Sequence, residues 1–99
     1  MDNIITLHPT NVLTVGQIIR PTTSNSSHTV LAASLRSPKG NGSYAVWVVL
    51  HLIPNNLHPF AVHYAVDRPD GWALENGHYH ATLTEALATY AKKSAGQIG

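Results

Sequence analysis

The sequence predicts an α+β domain: an antiparallel β-meander of about three to five strands, packed by a C-terminal α-helix, with an N-terminal helix or strand. Three observations carry this. Residues 44–52 and 60–67 are apolar, rich in β-branched and aromatic side chains, and alternate in the manner of strands. Clusters of Pro, Gly and Asn separate the apolar runs by short connections, which favour antiparallel neighbours. Thr82 and Glu85 have capping-box spacing just ahead of an apolar stripe at helical intervals.

In chain order, residues 1–20 hold the uncertain N-terminal element. Val12, Val15 and Ile19 suit one helix face, and Thr14 with Gln17 has the spacing of a capping box. Val12, Val15, Ile18 and Ile19 are also β-branched, and Gly16 interrupts them, so a strand stays open as the alternative to the helix. Pro21 ends either element, because it disfavours the helical region for Arg20. Residues 21–27, PTTSNSS, form a polar connector, and 28–81 are expected to be antiparallel strands.

The first strand, HTVLAASLR, places Leu31, Ala33 and Leu35 on one face. SPKGNGS then reads as a turn. The strongest strand, YAVWVVLHL, puts Tyr44, Val46, Val48 and Leu50 on one face and Ala45, Trp47, Val49 and His51 on the other. After the IPNNLHP break, FAVHYAVD places Phe60, Val62, Tyr64 and Val66 opposite Ala61, His63, Ala65 and Asp67. The Tyr44 and Phe60 faces make one continuous surface, which the helix should cover. RPDG, residues 68–71, is a compact turn signal.

Asn76-Gly77 is the preferred centre of a two-residue type I′ hairpin, because both positions need positive φ. A short hairpin is therefore expected, with Trp72, Leu74 and Tyr79 on one face and Ala73, Glu75, His78 and His80 on the other. In the helix over 82–94, Leu83, Ala86, Leu87, Tyr90 and Ala91 form the inward stripe. Lys92 and Lys93 suit the negative end of the helix dipole, and Gly96 is a fitting stop.

Composition bounds the function. A chain of 99 residues with 43 % hydrophobic content is one small folded domain. The absence of cysteine excludes disulfides and thiolate zinc sites. The start MDNIITLHPT lacks a signal-peptide pattern, and no apolar run approaches a membrane span, so a soluble, cytoplasmic protein is expected. A net charge of +1 is too weak to predict duplex nucleic-acid binding. The seven histidines are the anomaly: protonating all of them would raise the formal charge to +8, so a pH-dependent interface is expected.

Four histidines are the metal candidates. If Leu52 pairs with Phe60, Val49 lies opposite His63 and His51 is its diagonal neighbour. His51, His63, His78 and His80 could then converge on zinc, with Glu75 or Asp67 completing the set; otherwise they are half-exposed strand residues. No nucleophile elbow, paired-carboxylate spacing or HExxH motif is present, so no catalytic residue is assigned and the protein is expected not to be an enzyme. The second sheet face, with Trp47, Val49, Ala61 and Ala65, is apolar and needs a cover. That cover is the N-terminal element, a protein partner or a second copy of the chain. Trp47, Val49, His51 and His63 are the candidate partner-binding surface. The six Lys and Arg residues are scattered, which leaves nucleic-acid binding as the weakest alternative.

The C-terminal stretch DGWALENGHYHATLTEALATYAKK, with Gly77, His78, Tyr79, Thr82, Leu83, Glu85, Ala86, Leu87 and Tyr90, resembles the ends of small accessory proteins encoded by phages and mobile elements. The resemblance covers about the last forty residues. It implies a non-enzymatic interaction module that binds and occludes a protein partner, such as a component of a host defence system, in the manner of an anti-CRISPR protein. Histidine-based metal binding and weak nucleic-acid regulation stand as the alternatives.

Overall fold

The computed structural model describes residues 12–22, 26–37, 40 and 43–99. Among these residues five strands run in order β1 (Ile18–Ile19), β2 (His28–Ser37), β3 (Val46–Leu52), β4 (Phe60–Arg68) and β5 (Gly71–His80), followed by helix α1 (Leu83–Ser94). They form one antiparallel sheet in sequence order, β1-β2-β3-β4-β5. The α+β meander expected from the sequence is the architecture observed. Among the described residues no helix is long and apolar enough to cross a membrane.

The β3–β4 register is the one the sequence implies: Leu52 pairs with Phe60 and Val49 with His63. Alternation then divides the sheet. Val48, Leu50 and Val62 form a core with Ala86 of α1, with Phe60, Tyr64 and Tyr90 packed at its edge. The helix therefore covers the Tyr64 face, as expected.

The helix is rotated relative to its expected stripe. Ala86 is buried and Tyr90 half-buried, but Leu83 and Leu87 are 42 % and 47 % exposed, Ala91 is exposed, and Lys93 is fully buried instead. Lys93 reaches across to donate from Nζ to the Asn76 carbonyl at 3.0 Å, and its ammonium sits 3.9 Å from the centre of the Tyr64 ring. Tyr90 Oη donates to Ser34 Oγ at 3.0 Å, and Thr89 Oγ1 lies 2.8 Å from His80 Nε2. These polar anchors turn the Lys93 side of the helix inward. Both ends are capped as the sequence indicates. Thr82 Oγ1 accepts from Glu85 N, and Gly96 (φ 75) closes a Schellman motif in which Gly96 N donates to Lys93 O and Gln97 N to Lys92 O.

Residues 12–22 contain no helix. Thr14 and Gln17 are indeed paired, but across a turn: Gln17 N donates to Thr14 O at 3.1 Å, and Thr14 N donates to Gln17 Oε1 at 3.0 Å. Gly16, at φ 86, supplies the positive φ that this turn needs. Gly16 N and Gln17 O then continue hydrogen bonding to Val30, and β1 pairs with β2. Beyond β1 the chain crosses to the opposite edge, where Thr22 N donates to Trp72 O at 3.1 Å.

This strap covers the second sheet face. Leu13 and Ile19 pack with Val30, Trp47, Val49 and Ala65, flanked by Ala33, Trp72 and Leu74. Of the three covers considered, the N-terminal segment is the one observed over Trp47, Val49 and Ala65.

Two bulges correct the sequence reading. Between Val30↔His51 and Ala32↔Leu50 an extra residue, Leu31, enters β2, so Leu31 and Ala32 join the helix-side core while Ala33 and Leu35 lie on the other face. The second bulge replaces the expected type I′ hairpin. Residues 71–80 are one continuous strand, in which Asn76 and Gly77 together oppose His63, between Tyr64↔Glu75 and Val62↔His78. Asn76 does adopt φ 52, but it buys a bulge, not a reversal. A two-residue loop and a one-residue bulge both preserve the face assignment, so Trp72, Leu74 and Tyr79 still share a face.

Candidate functional site: a histidine array at a cavity

Parity and register bring three imidazoles together on the strap-covered face. His51 on β3 and His63 on β4 are diagonal neighbours, and His51 Nε2 lies 2.8 Å from His63 Nδ1. On the other side of β3, Val30 pairs with His51, which sets His28 of β2 alongside it. The His28 and His51 rings stack, with centroids 4.9 Å apart and planes 12° from parallel. The array ends at Tyr79 of β5, whose hydroxyl lies 3.0 Å from His63 Nε2 with the two rings edge to face. At the other end, His28 Nε2 lies 3.1 Å from Ser26 Oγ.

The β5 bulge makes room for this. Gly77 lies directly over His63, and a Cβ there would collide with the imidazole. The bulge also exposes the Asn76 carbonyl to Lys93. The Asn-Gly pair is thus a fitting for His63, with the left-handed position on Asn76 and the absent side chain on Gly77.

His51 is fully buried, and His28 and His63 are nearly so. Burial, followed by the neighbouring His63 and His28, pushes His51 down to about 3. Burial, followed by His28, Lys93 and His78, pushes His63 down to about 4. Burial also lowers His28. The array is therefore neutral at pH 7. Near pH 5.5 His51 and His63 remain uncharged in the folded protein, so neither adds to its positive charge there.

One side of the array opens on a cavity of about 310 Å³. Ser26, His28, Asn56, His63 and Tyr79 supply its polar lining, and Pro21, Ile53 and Leu74 its apolar wall. Its volume is at the small end of the range for ligand sites.

The structure places the sequence-predicted residues differently from one another. Trp47, Val49, His51 and His63, read as a partner-binding surface, are all buried and do not form an accessible surface in this fold. The four histidines read as a metal set do not converge. His51 and His63 meet beneath the strap, whereas His78 and His80 pair with Val62 and Phe60 on the helix side of the sheet. There His78 Nε2 lies 3.0 Å from the Gly99 carbonyl, and His80 bonds Thr89. Among the described residues no group of three His, Asp or Glu side chains is placed to hold a metal ion. Asp67 and Glu75 are also elsewhere; Glu75 pairs with Arg68 at 3.2 Å.

Sequence reasoning missed His28, Tyr79, Asn56 and Ser26 as site residues. His28 was discoverable in principle, since it shares parity with Val30, but only once Val30 is known to pair with His51. Tyr79 needed the bulge, which carries it past Leu74 to lie opposite Ala61, beside His63. Comparison with known protein families, curated proteins and solved structures finds no significant match.

Proposed function

We propose that the protein is a non-enzymatic binding module that engages its partner at the mouth of the histidine cavity, taking a projecting group of that partner inside. The observation that carries this reading is the hydrogen-bonded series His51–His63–Tyr79, which begins in the core and ends at a half-exposed tyrosine on the cavity rim. A buried polar series of this kind fixes the rim hydroxyl in place before any ligand arrives, which lowers the cost of binding. Leu57, next to the lining residue Asn56, is 86 % exposed and offers an apolar contact beside the rim.

The same residues favour binding over catalysis. A general base works best with a pKa near the operating pH, and His63 at about 4 is too weak for that role near neutrality. Both of its ring nitrogens are engaged within the protein. The resemblance of the last forty residues to phage and mobile-element accessory proteins extends the proposal: the partner is a component of a host defence system, which the protein occludes.

The test is capture of candidate defence complexes by the immobilised protein. Leu57→Asp, at an exposed position, should abolish capture while leaving the thermal transition in place; Tyr79→Ala should abolish capture and also lower the transition, because it leaves the buried His63 Nε2 without its partner. Capture that survives both changes would move the interface away from the cavity.

A further inference from the structure

The hydrogen-bond directions around the cavity are set from the core outward. Among the described residues, the Nδ1 atoms of His51 and His28 are buried without a hydrogen-bond partner. A neutral imidazole carries one proton, and a buried N–H without an acceptor is rarer in proteins than a buried acceptor without a donor. The proton of His51 therefore belongs on Nε2, where it is donated to His63 Nδ1. His63 must then carry its own proton on Nε2 and donate it to the Tyr79 oxygen. Tyr79 is left with its O–H as the group it offers to a ligand. By the same reasoning His28 donates from Nε2 to Ser26 Oγ.

Asn56 has the same polarity by a different route. Its Oδ1 accepts from the His58 backbone N–H at 3.1 Å, so the Asn56 NH2 is what remains for a ligand. Two cavity-lining residues on separate elements, β5 and the 53–59 loop, thus present donors. Among the described residues no lining residue is acidic. Among the described residues, the charged and titratable groups around His63 are His28 on β2, His51 on β3, His78 and Tyr79 on β5, and Lys93 on α1, none of them a carboxyl. Lys93, held at the bulge behind His63, adds positive potential.

We infer that the cavity is a site for an acceptor-only group, a carboxylate carried on a flat apolar body: the carboxylate accepts from Tyr79 and Asn56, and the body lies against Pro21, Ile53 and Leu74. The inference rests on the cavity being the recognition site and names the chemistry it selects.

Three probes of matched shape test it: benzoate, which only accepts; benzamidinium, which only donates; and benzamide, which does both. Binding is followed at pH 7 by amide and ring chemical shifts of the full chain. Benzoate should shift His63, Tyr79 and Asn56 and bind at least tenfold more tightly than benzamidinium. Tyr79→Phe, which removes the hydroxyl that donates to the ligand and accepts from His63 Nε2, should weaken benzoate by about ten- to a hundredfold, the worth of one hydrogen bond to a charged acceptor. Asn56→Asp keeps the acceptor for His58 N and replaces the donors, so it should abolish benzoate binding. Benzamidinium binding as well as benzoate would overturn the acceptor assignment while leaving the cavity as a binding site. Benzoate shifts elsewhere, or indifference to both substitutions, would overturn it too. Failure of all three probes would remove both the inference and the cavity reading beneath it.

Discussion

Gly77 and His63 are fitted to each other: the glycine backbone lies against the imidazole so closely that no side chain can occupy position 77 without moving the ring. Gly77→Ala should therefore push His63 from between His51 and Tyr79. We expect a loss of about 1–3 kcal/mol, the usual cost of overpacking, with displaced His63 and Tyr79 ring signals. Gly16→Ala makes the comparison, since nothing lies within 4 Å of a Cβ there and only the positive φ opposes it. That variant should leave the His63 signals unchanged.

Stability should fall on mild acidification. The unfolded rings titrate near 6.5, whereas His51 and His63 are held at about 3 and about 4 in the fold. Both shifts are downward, so their contribution is complete above pH 6.5 and is lost as the pH falls from there toward the folded values. At about 1.4 kcal/mol per pKa unit and per group, the two together remove on the order of 3 kcal/mol by pH 5.5. Urea midpoints at pH 7, 6 and 5 would measure it; a flat profile would mean that the rings are solvated in the folded protein.

The strap over residues 12–22 is part of the core. Leu13 is 3 % exposed against Trp47 and Val49, so Leu13→Ala should cost about 2–5 kcal/mol in chemical denaturation. A cost below about 1 kcal/mol would mean that the strap is detached in solution, with the second sheet face open to a partner.

Thr82 caps α1 through its hydroxyl, which accepts from Glu85 N. Thr82→Ala should destabilise by about 1 kcal/mol, and Thr82→Ser by much less. Equal losses from the two substitutions would point to packing of the threonine methyl group in place of the cap.

Metal should have little effect. With His51 and His63 on one side of the sheet and His78 and His80 on the other, a chelator is expected to leave the native mass and melting temperature unchanged. A stoichiometric adduct lost on chelation would require the array to rearrange around an ion.

The sequence by itself determined β2, β3 and β4, their order and both caps of the helix, because these depend on neighbours a few residues apart. Alternation in 44–52 and 60–67, the turns between them and the Thr82–Glu85 spacing were enough to place Val49 opposite His63. Local patterns were ambiguous where two structures need the same residues. Thr14 and Gln17 suit a capping box or a turn, and Asn76-Gly77 suits a hairpin or a bulge, since each pair meets the same local demand for hydrogen bonds or positive φ. The tertiary structure chose between them: Val30 offered β1 a ladder, and β4 ran on past His63 as a partner for both halves of β5. It alone also decided the site. His28, His51, His63 and Tyr79 are spread over more than fifty residues of sequence, and their contact depends on the register of four strands and two bulges at once. The burial that makes them neutral is a property of that assembled face, and no window of the sequence contains it.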